Sequence, residues 1–318
     1  MENNSIANNI DEDDDTSLLV IIVDCNIYSW GNREKLLKEG TLNDEKKTYI
    51  TFSKFLEHLM VFINAYLMLN QENQLSVLCS KIGKSEFLFP NHTANDPLYS
   101  EKTIQEQILH KLQNMDLNNI NETEERNISS SFSAAMSMAL CYISRIKKAT
   151  PTIRPRIVVF NVSPDVSAQY ISVMNCIFSA QKQSIPVDCC ILSQTDSTFL
   201  QQASHLTNGV YLKPQNQQQL TQYLLSTFLI DTYSRKFLAY PTLKSVDYRA
   251  SCFCHKKIVD IGFVCSVCLS IFCKYSSSCS TCGTKFSLKI ELPKKTTTAN
   301  NTTTVIGGGN QSATASTK

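Results

Sequence analysis

The 318-residue chain has no apolar run near the roughly 18–20 residues a membrane-spanning helix needs. Its longest, Leu18–Val23, is strand length, and the stretch Phe55–Leu69 is broken by Glu57, His58 and Asn64. The start is Asn-rich and acidic, with no positive region and no apolar core, so no secretory signal is read there and a reducing, intracellular setting is expected. Charged residues make up 18% and the net charge is +2, which excludes a disordered polyelectrolyte and a chain that seeks polyanions as a whole. No GxxxxGK[ST] phosphate loop occurs. The only GxG, Gly307–Gly309, lies in a Thr/Asn/Gly-rich tail with no strand before it. No CxxC stands apart for redox work. Of the five histidines, His58 and His110 fall on helical patterns, His92 in a loop and His205 near a helix end, all structural or surface positions. An enzyme is therefore the last reading, and neither a membrane nor a small-molecule substrate is indicated.

What the chain does have is 42% hydrophobic residues, enough for a sizeable core, and a length that suits about two domains. It also has 13 cysteines, unevenly spread. Seven (Cys252, Cys254, Cys265, Cys268, Cys273, Cys279, Cys282) fall within 31 residues. The other six (Cys25, Cys79, Cys141, Cys176, Cys189, Cys190) are scattered and read as interior residues of a larger domain. A disulfide scaffold would spread its cysteines through a small secreted domain; clustering in a reducing compartment points to metal.

Strand and helix signals alternate over residues 17–232. The run Ser17–Asp24 is continuously apolar, as in a parallel strand buried on both faces. A helix follows Ser53, with Leu56, Leu59, Met60, Ile63 and Leu67 on one face. Gln74–Ser80 is a strand that Glu86–Phe89 could join as a hairpin. Further helices are marked by Ile104–Met115, by Phe132–Ile146 (closed by Thr150-Pro151) and by Tyr170–Phe178, and further strands by Arg156–Val162 and Val187–Leu192. Phe199–Leu206 is a short helix with a left-handed C-cap at Asn208-Gly209, Val210–Leu212 an edge strand, and Leu220–Phe228 a last helix. This alternation predicts a doubly wound, mostly parallel α/β sheet, with any ligand site at the carboxyl ends of its strands, Asp24–Asn26 and Asn161–Asp165. The expected organisation is an acidic disordered tail (1–16), the α/β domain (17–232), a linker (233–250), a small zinc-binding domain (251–292) and a low-complexity tail (293–318).

The strongest motif is Cys265-Ser-Val-Cys268 followed, ten residues on, by Cys279-Ser-Thr-Cys282. Each pair puts two thiolates on one tight turn, and two turns complete a closed tetrahedral Zn²⁺ site that leaves no position for water. Such a site is structural and supplies folding energy to a segment too small for its own core. Gly283 suits the backbone of the second turn. Cys252, Cys254, His255 and Cys273 are enough donors for a second ion. However, the cysteine expected just after Cys273 in a cross-braced finger is absent, so a collapsed site packed as small hydrophobes stands beside that reading. From 235 to 295 eleven Lys/Arg face three acids, an excess of eight, which fits phosphate contacts, a solvated surface or an acidic protein partner.

The strand Leu18–Asp24 ending in Asp24-Cys25-Asn26-Ile27-Tyr28 resembles the first element of a von Willebrand factor A-like domain. That family's metal-adhesion motif reads Asp-x-Ser-x-Ser, with a hydroxyl from a later loop and an Asp after a later strand. Asn26 and Tyr28 stand at the two serine positions, Ser129–Ser131 offer the loop, and Asp165 follows Asn161–Val162–Ser163–Pro164. Tyr28 cannot serve as a serine hydroxyl does and would crowd an octahedral shell, so Asp24 and Asp165 read as relics of a metal-free site. For Asp24, capping of backbone N–H groups at a turn or helix start is the alternative. Trp30, the single tryptophan, is read as a core residue, the other reading being an exposed interface anchor.

Taken with Phe253-Cys-His-Lys256, Gly262-Phe-Val-Cys-Ser-Val-Cys268 and Cys279–Cys282, the chain is similar over about 17–292 to the von Willebrand A and C4 zinc-finger core subunits of the transcription and DNA-repair factor TFIIH. The resemblance implies a nuclear, non-catalytic scaffold acting in RNA polymerase II initiation and nucleotide-excision repair. Its partners would be other core subunits, chiefly a related von Willebrand A/zinc-finger subunit, with indirect links to helicases and DNA. A metal-dependent receptor for acidic ligands and a stand-alone zinc-finger nucleic-acid-binding protein are the rival readings.

Overall fold

A computed structural model describes residues 16–38, 49–90, 102–114, 130–166, 169–240, 246, 248–250, 252–255 and 257–286. The readings of the two tails (Thr16 aside), of His92 and of Ser129 lie outside these residues. Six strands, β1 (Ser17–Asp24), β2 (Gln74–Ser80), β3 (Ser85–Phe89), β4 (Arg154–Asn161), β5 (Val187–Ile191) and β6 (Tyr211–Leu212), form one sheet in the order β3-β2-β1-β4-β5-β6. All neighbouring pairs are parallel except β2–β3, the expected hairpin.

The apolar run of β1 is buried because helices cover both faces. Leu18, Val20 and Ile22 face a layer built from α4 (Phe132–Ala149), α5 (Tyr170–Lys182) and α6 (Thr198–Leu206). Leu19, Ile21 and Val23 face the opposite layer. That layer holds α1 (Ile27–Lys38), α2 (Phe52–Leu69), α3 (Ile104–Gln113) and α7 (Leu220–Tyr223), whose last turn opens into a π-helical segment, Leu224–Phe228. The six side chains from Leu18 to Val23 are at most 1% exposed. Each contributes about 1.5–3 kcal/mol. By length and composition α2 could cross a membrane. Its apolar character is accounted for by Phe55, Leu59, Phe62, Ile63 and Tyr66, all buried in this layer.

Three details depart from the sequence reading. Helix α1 was not anticipated. Helix α2 is capped by Thr51, which accepts the Lys54 N–H, and so begins ahead of Ser53. Of the six scattered cysteines only Cys79, Cys189 and Cys190 are interior; Cys25 and Cys176 are half-buried and Cys141 is exposed. After α6, Asn208 takes the left-handed conformation (φ 56°), as expected. Gly209 is needed for a different reason: a Cβ there would lie 2.0 Å from the Val187 carbonyl oxygen.

Two buried arginines fasten the last helix and the segment after it. Arg156 on β4 donates to the carbonyls of Phe228, Leu229 and Ile230, groups a helix end leaves without partners. Arg235, in the stretch read as linker, makes a two-pronged ion pair with fully buried Asp188 on β5 at 2.7 and 2.6 Å.

Candidate metal centre and the closed end of the sheet

The C-terminal module is a two-stranded hairpin, β7 (Phe263–Val264) with β8 (Ile271–Phe272), set among cysteine turns. The first turn is closed by Cys265 N–H donating to the Ser270 carbonyl (2.9 Å) and Leu269 N–H donating to the Cys265 carbonyl (2.9 Å). The second repeats this: Cys279 N–H to Thr284 (2.8 Å) and Gly283 N–H to Cys279 (2.9 Å). Such turns put the residue after the second cysteine in the left-handed region. Gly283 (φ 74°) takes it freely, whereas Leu269 (φ 60°) takes it against its preference.

The turns bring the thiols of Cys265, Cys268, Cys279 and Cys282 within 4.8 Å of one another. Cys265 and Cys282 are 3.7 Å apart, and Cys268 and Cys279 are 3.5 Å apart. Four thiolates at about 2.3 Å from a tetrahedral Zn²⁺ would be about 3.8 Å apart, so the donor set fits that ion. The Thr284 hydroxyl, 3.0 Å from Cys282, and then its backbone pull the Cys282 thiol down to about 6, toward the thiolate a metal needs. A second group, Cys252, Cys254, His255 and Cys273, also converges within 4.8 Å and could hold a metal. The apolar core here is minimal: buried Cys265, Phe272 and Cys279, with Phe253, Cys268 and Phe286 against them. That is too little to hold such a segment without a further staple.

At the carboxyl end of the sheet the adhesion-motif positions form a closed hydrogen-bond network. Asp24 accepts the backbone N–H groups of Asn26 (3.2 Å), Val162 (3.1 Å) and Ser163 (2.8 Å). Burial pushes its carboxyl above the ordinary range, while the Ser163 hydroxyl and N–H, the Val162 N–H and Ser130 pull it back. Asn26 caps α1: its Oδ1 accepts the N–H groups of Tyr28 (3.1 Å) and Ser29 (3.4 Å), and its Nδ2 donates to the Ser163 hydroxyl (3.0 Å). The Tyr28 side chain is 43% exposed, outside this network.

Asp165 does not join Asp24. It turns to α6, accepting the hydroxyls of Ser197 (2.5 Å) and Thr198 (3.0 Å) and the Phe199 N–H (3.1 Å). Ser163, which the sequence reading did not single out, is the hub that ties the two strand ends together. The cavity beside Ser163 and Asp165 is about 30 Å³, room for water and nothing larger, while a more open one of about 350 Å³ lies between α1 and the ends of β4 and β5, lined by Ser29, Arg33, Val162 and Ser193. Trp30 is buried, donates its indole N–H to the Asp24 carbonyl (2.8 Å) and packs on Phe52 and Phe55, which makes it a core residue.

This arrangement can be set beside known proteins. "General transcription factor IIH subunit 3" of Dictyostelium discoideum is 60% identical, covering 92% of this chain and 95% of that protein. "General transcription and DNA repair factor IIH subunit TFB4" of Arabidopsis thaliana is 40% identical, covering 86% and 90%. The crystal structure of the TFIIH p34 N-terminal domain superposes with a TM-score of 0.55 at 26% identity, covering 67% of this chain and 98% of that one. The fold is the expected von Willebrand A-like α/β sheet followed by a cysteine-rich module that could bind zinc. The profile of the family described as Transcription factor Tfb4 matches residues 16–283, and the chain belongs to that family.

Proposed function

We propose that this chain is a non-catalytic scaffold subunit of the TFIIH core, working in the nucleus in RNA polymerase II initiation and nucleotide-excision repair through protein–protein contacts. The observation that carries this reading is the closed end of the sheet. Both carboxylates that could have served a metal or a substrate, Asp24 and Asp165, are taken up by donors of the protein itself. The Asp24/Asn26/Tyr28/Asp165 positions are then a metal-free brace. Residues 17–232 form the platform, 233–250 lead from it, and 251–292 form a recognition knob with Zn²⁺ on Cys265, Cys268, Cys279 and Cys282.

What the knob offers a partner is apolar: Ile261, Phe263, Val264, Val267 and Leu269 are all more than half exposed. Exposed apolar area of this kind marks a protein interface. The partner is chiefly the related von Willebrand A/zinc-finger subunit, through which the chain reaches the helicases and DNA; no membrane and no small-molecule substrate is involved. The test is complementation of cells lacking the chain. Cys265→Ser/Cys268→Ser is expected to lose incorporation into TFIIH and to leave cells sensitive to ultraviolet light, whereas Tyr28→Ser leaves both intact. Full repair by the finger variant would refute the reading.

A further inference from the structure

The turn at Cys252 repeats the two zinc turns in its hydrogen bonding. Its leading cysteine N–H donates to the carbonyl five residues on, Lys257, at 2.8 Å, as Cys265 does to Ser270 and Cys279 to Thr284. Its donors Cys252 and His255 also have the three-residue spacing of the other two pairs. The chain thus builds three metal-binding turns, while the Cys265/Cys268/Cys279/Cys282 group uses only two.

The donor missing after Cys273 is supplied from this first turn, which carries three ligands instead of two. Cys273, directly after β8, lies 3.4 Å from the Cys254 thiol and 3.1 Å from His255 Nδ1, and all four donor atoms are within 4.8 Å. Three thiolates and one imidazole are an established structural Zn²⁺ set. We propose that Cys252, Cys254, His255 and Cys273 hold a second structural Zn²⁺, interleaved with the first. This deepens the zinc-knob reading above.

In chain order the ligands run second site (252–255), first site (265, 268), second site (273), first site (279, 282), so the hairpin β7–β8 is held between two ions. Apart from the metal, the Cys252–His255 strap is fixed on the hairpin by the Phe253 N–H on the Ile271 carbonyl (2.7 Å) and by Phe253 against Phe272. The second ion would make the strap part of the knob, and each site would stabilise the other.

The test is metal counting on the full-length protein, purified under reducing conditions and dialysed against a mild competing chelator. Wild type is expected to carry two zinc ions per chain, Cys273→Ser one and Cys282→Ser one. His255→Cys, which keeps four donors, is expected to keep two ions. After cobalt substitution its d–d bands move to lower energy, as a three-sulfur, one-nitrogen set becomes four-sulfur. One zinc per wild-type chain that Cys282→Ser removes and Cys273→Ser leaves would overturn the second site and keep the first. One zinc that Cys273→Ser removes and Cys282→Ser leaves would overturn the four-cysteine site and keep this one. Two ions in wild type with a cobalt spectrum unmoved in His255→Cys would overturn the assignment of His255.

Discussion

Replacing Asp24 by Ala separates a brace from a metal site. The side chain is 4% exposed and satisfies three backbone N–H groups: Asn26, Val162 and Ser163. Leaving a buried donor without a partner costs about 1–3 kcal/mol. Removing the burial cost of the carboxylate offsets part of the sum, and a water in the small cavity can serve one donor. The expected net loss is about 3–5 kcal/mol, the cost of the orphaned donors less these offsets. For a domain of this size that lowers the melting temperature by roughly 10 °C.

The pH dependence has a definite sign. Burial raises Asp24 above 3.8 in the folded state, so its ionisation opposes folding at neutral pH. Wild type should therefore gain stability relative to Asp24→Asn as pH falls from the folded value toward 3.8, and lose that gain as pH rises. The assay is thermal melting by circular dichroism at several pH values, with and without Mg²⁺. A Tm for Asp24→Ala within about 1 °C of wild type would refute the brace. So would a wild-type Tm that rises with Mg²⁺ and a variant that has lost only that rise.

Three further perturbations have defined outcomes. Arg235→Ala leaves Asp188 buried without its cation and should cost about 3–5 kcal/mol in chemical denaturation; a double-mutant cycle with Asp188→Asn should show strong coupling. Leu269→Gly relieves a left-handed leucine that is 69% exposed, so little burial is lost. It should stabilise the knob by up to about 1 kcal/mol, read as slower zinc transfer to a coloured chelator. Stripping the metal with a strong chelator should unfold residues 251–292 alone. The platform has its own two-layer core, so its melt and its far-ultraviolet signal should persist.

The platform was legible in the sequence because its strands are buried on both faces and its helices mostly show one apolar stripe. Helix α1 was not, for a physical reason. It carries Gly31, and the side chains it buries are Trp30 and Arg33, a pair with no apolar periodicity. Arg33 is accommodated by the Leu192 carbonyl, Gln217 and the rings of Trp30 and Tyr49, partners mostly far away in sequence. Buried ions such as Asp188 with Arg235 are hidden in the same way, since nothing local distinguishes them from surface charges. Asp24 and Asp165 read as a pair from the motif, yet the chain between β4 and α6 turns Asp165 to a helix start. In the finger the ligands were visible from spacing. Their grouping into two sets was read as well, and the structure brings each set together, Cys273 meeting partners 18 and 19 residues upstream.

The role proposed for this chain is that of a stoichiometric structural member of TFIIH. The most direct measurement is affinity purification of the tagged full-length chain from cell extract, with subunits quantified by mass spectrometry. The core subunits and helicases are expected at equal amounts with the bait, from wild type and from a Tyr28→Ser variant alike. A chain that elutes alone, as a monomer, would contradict it.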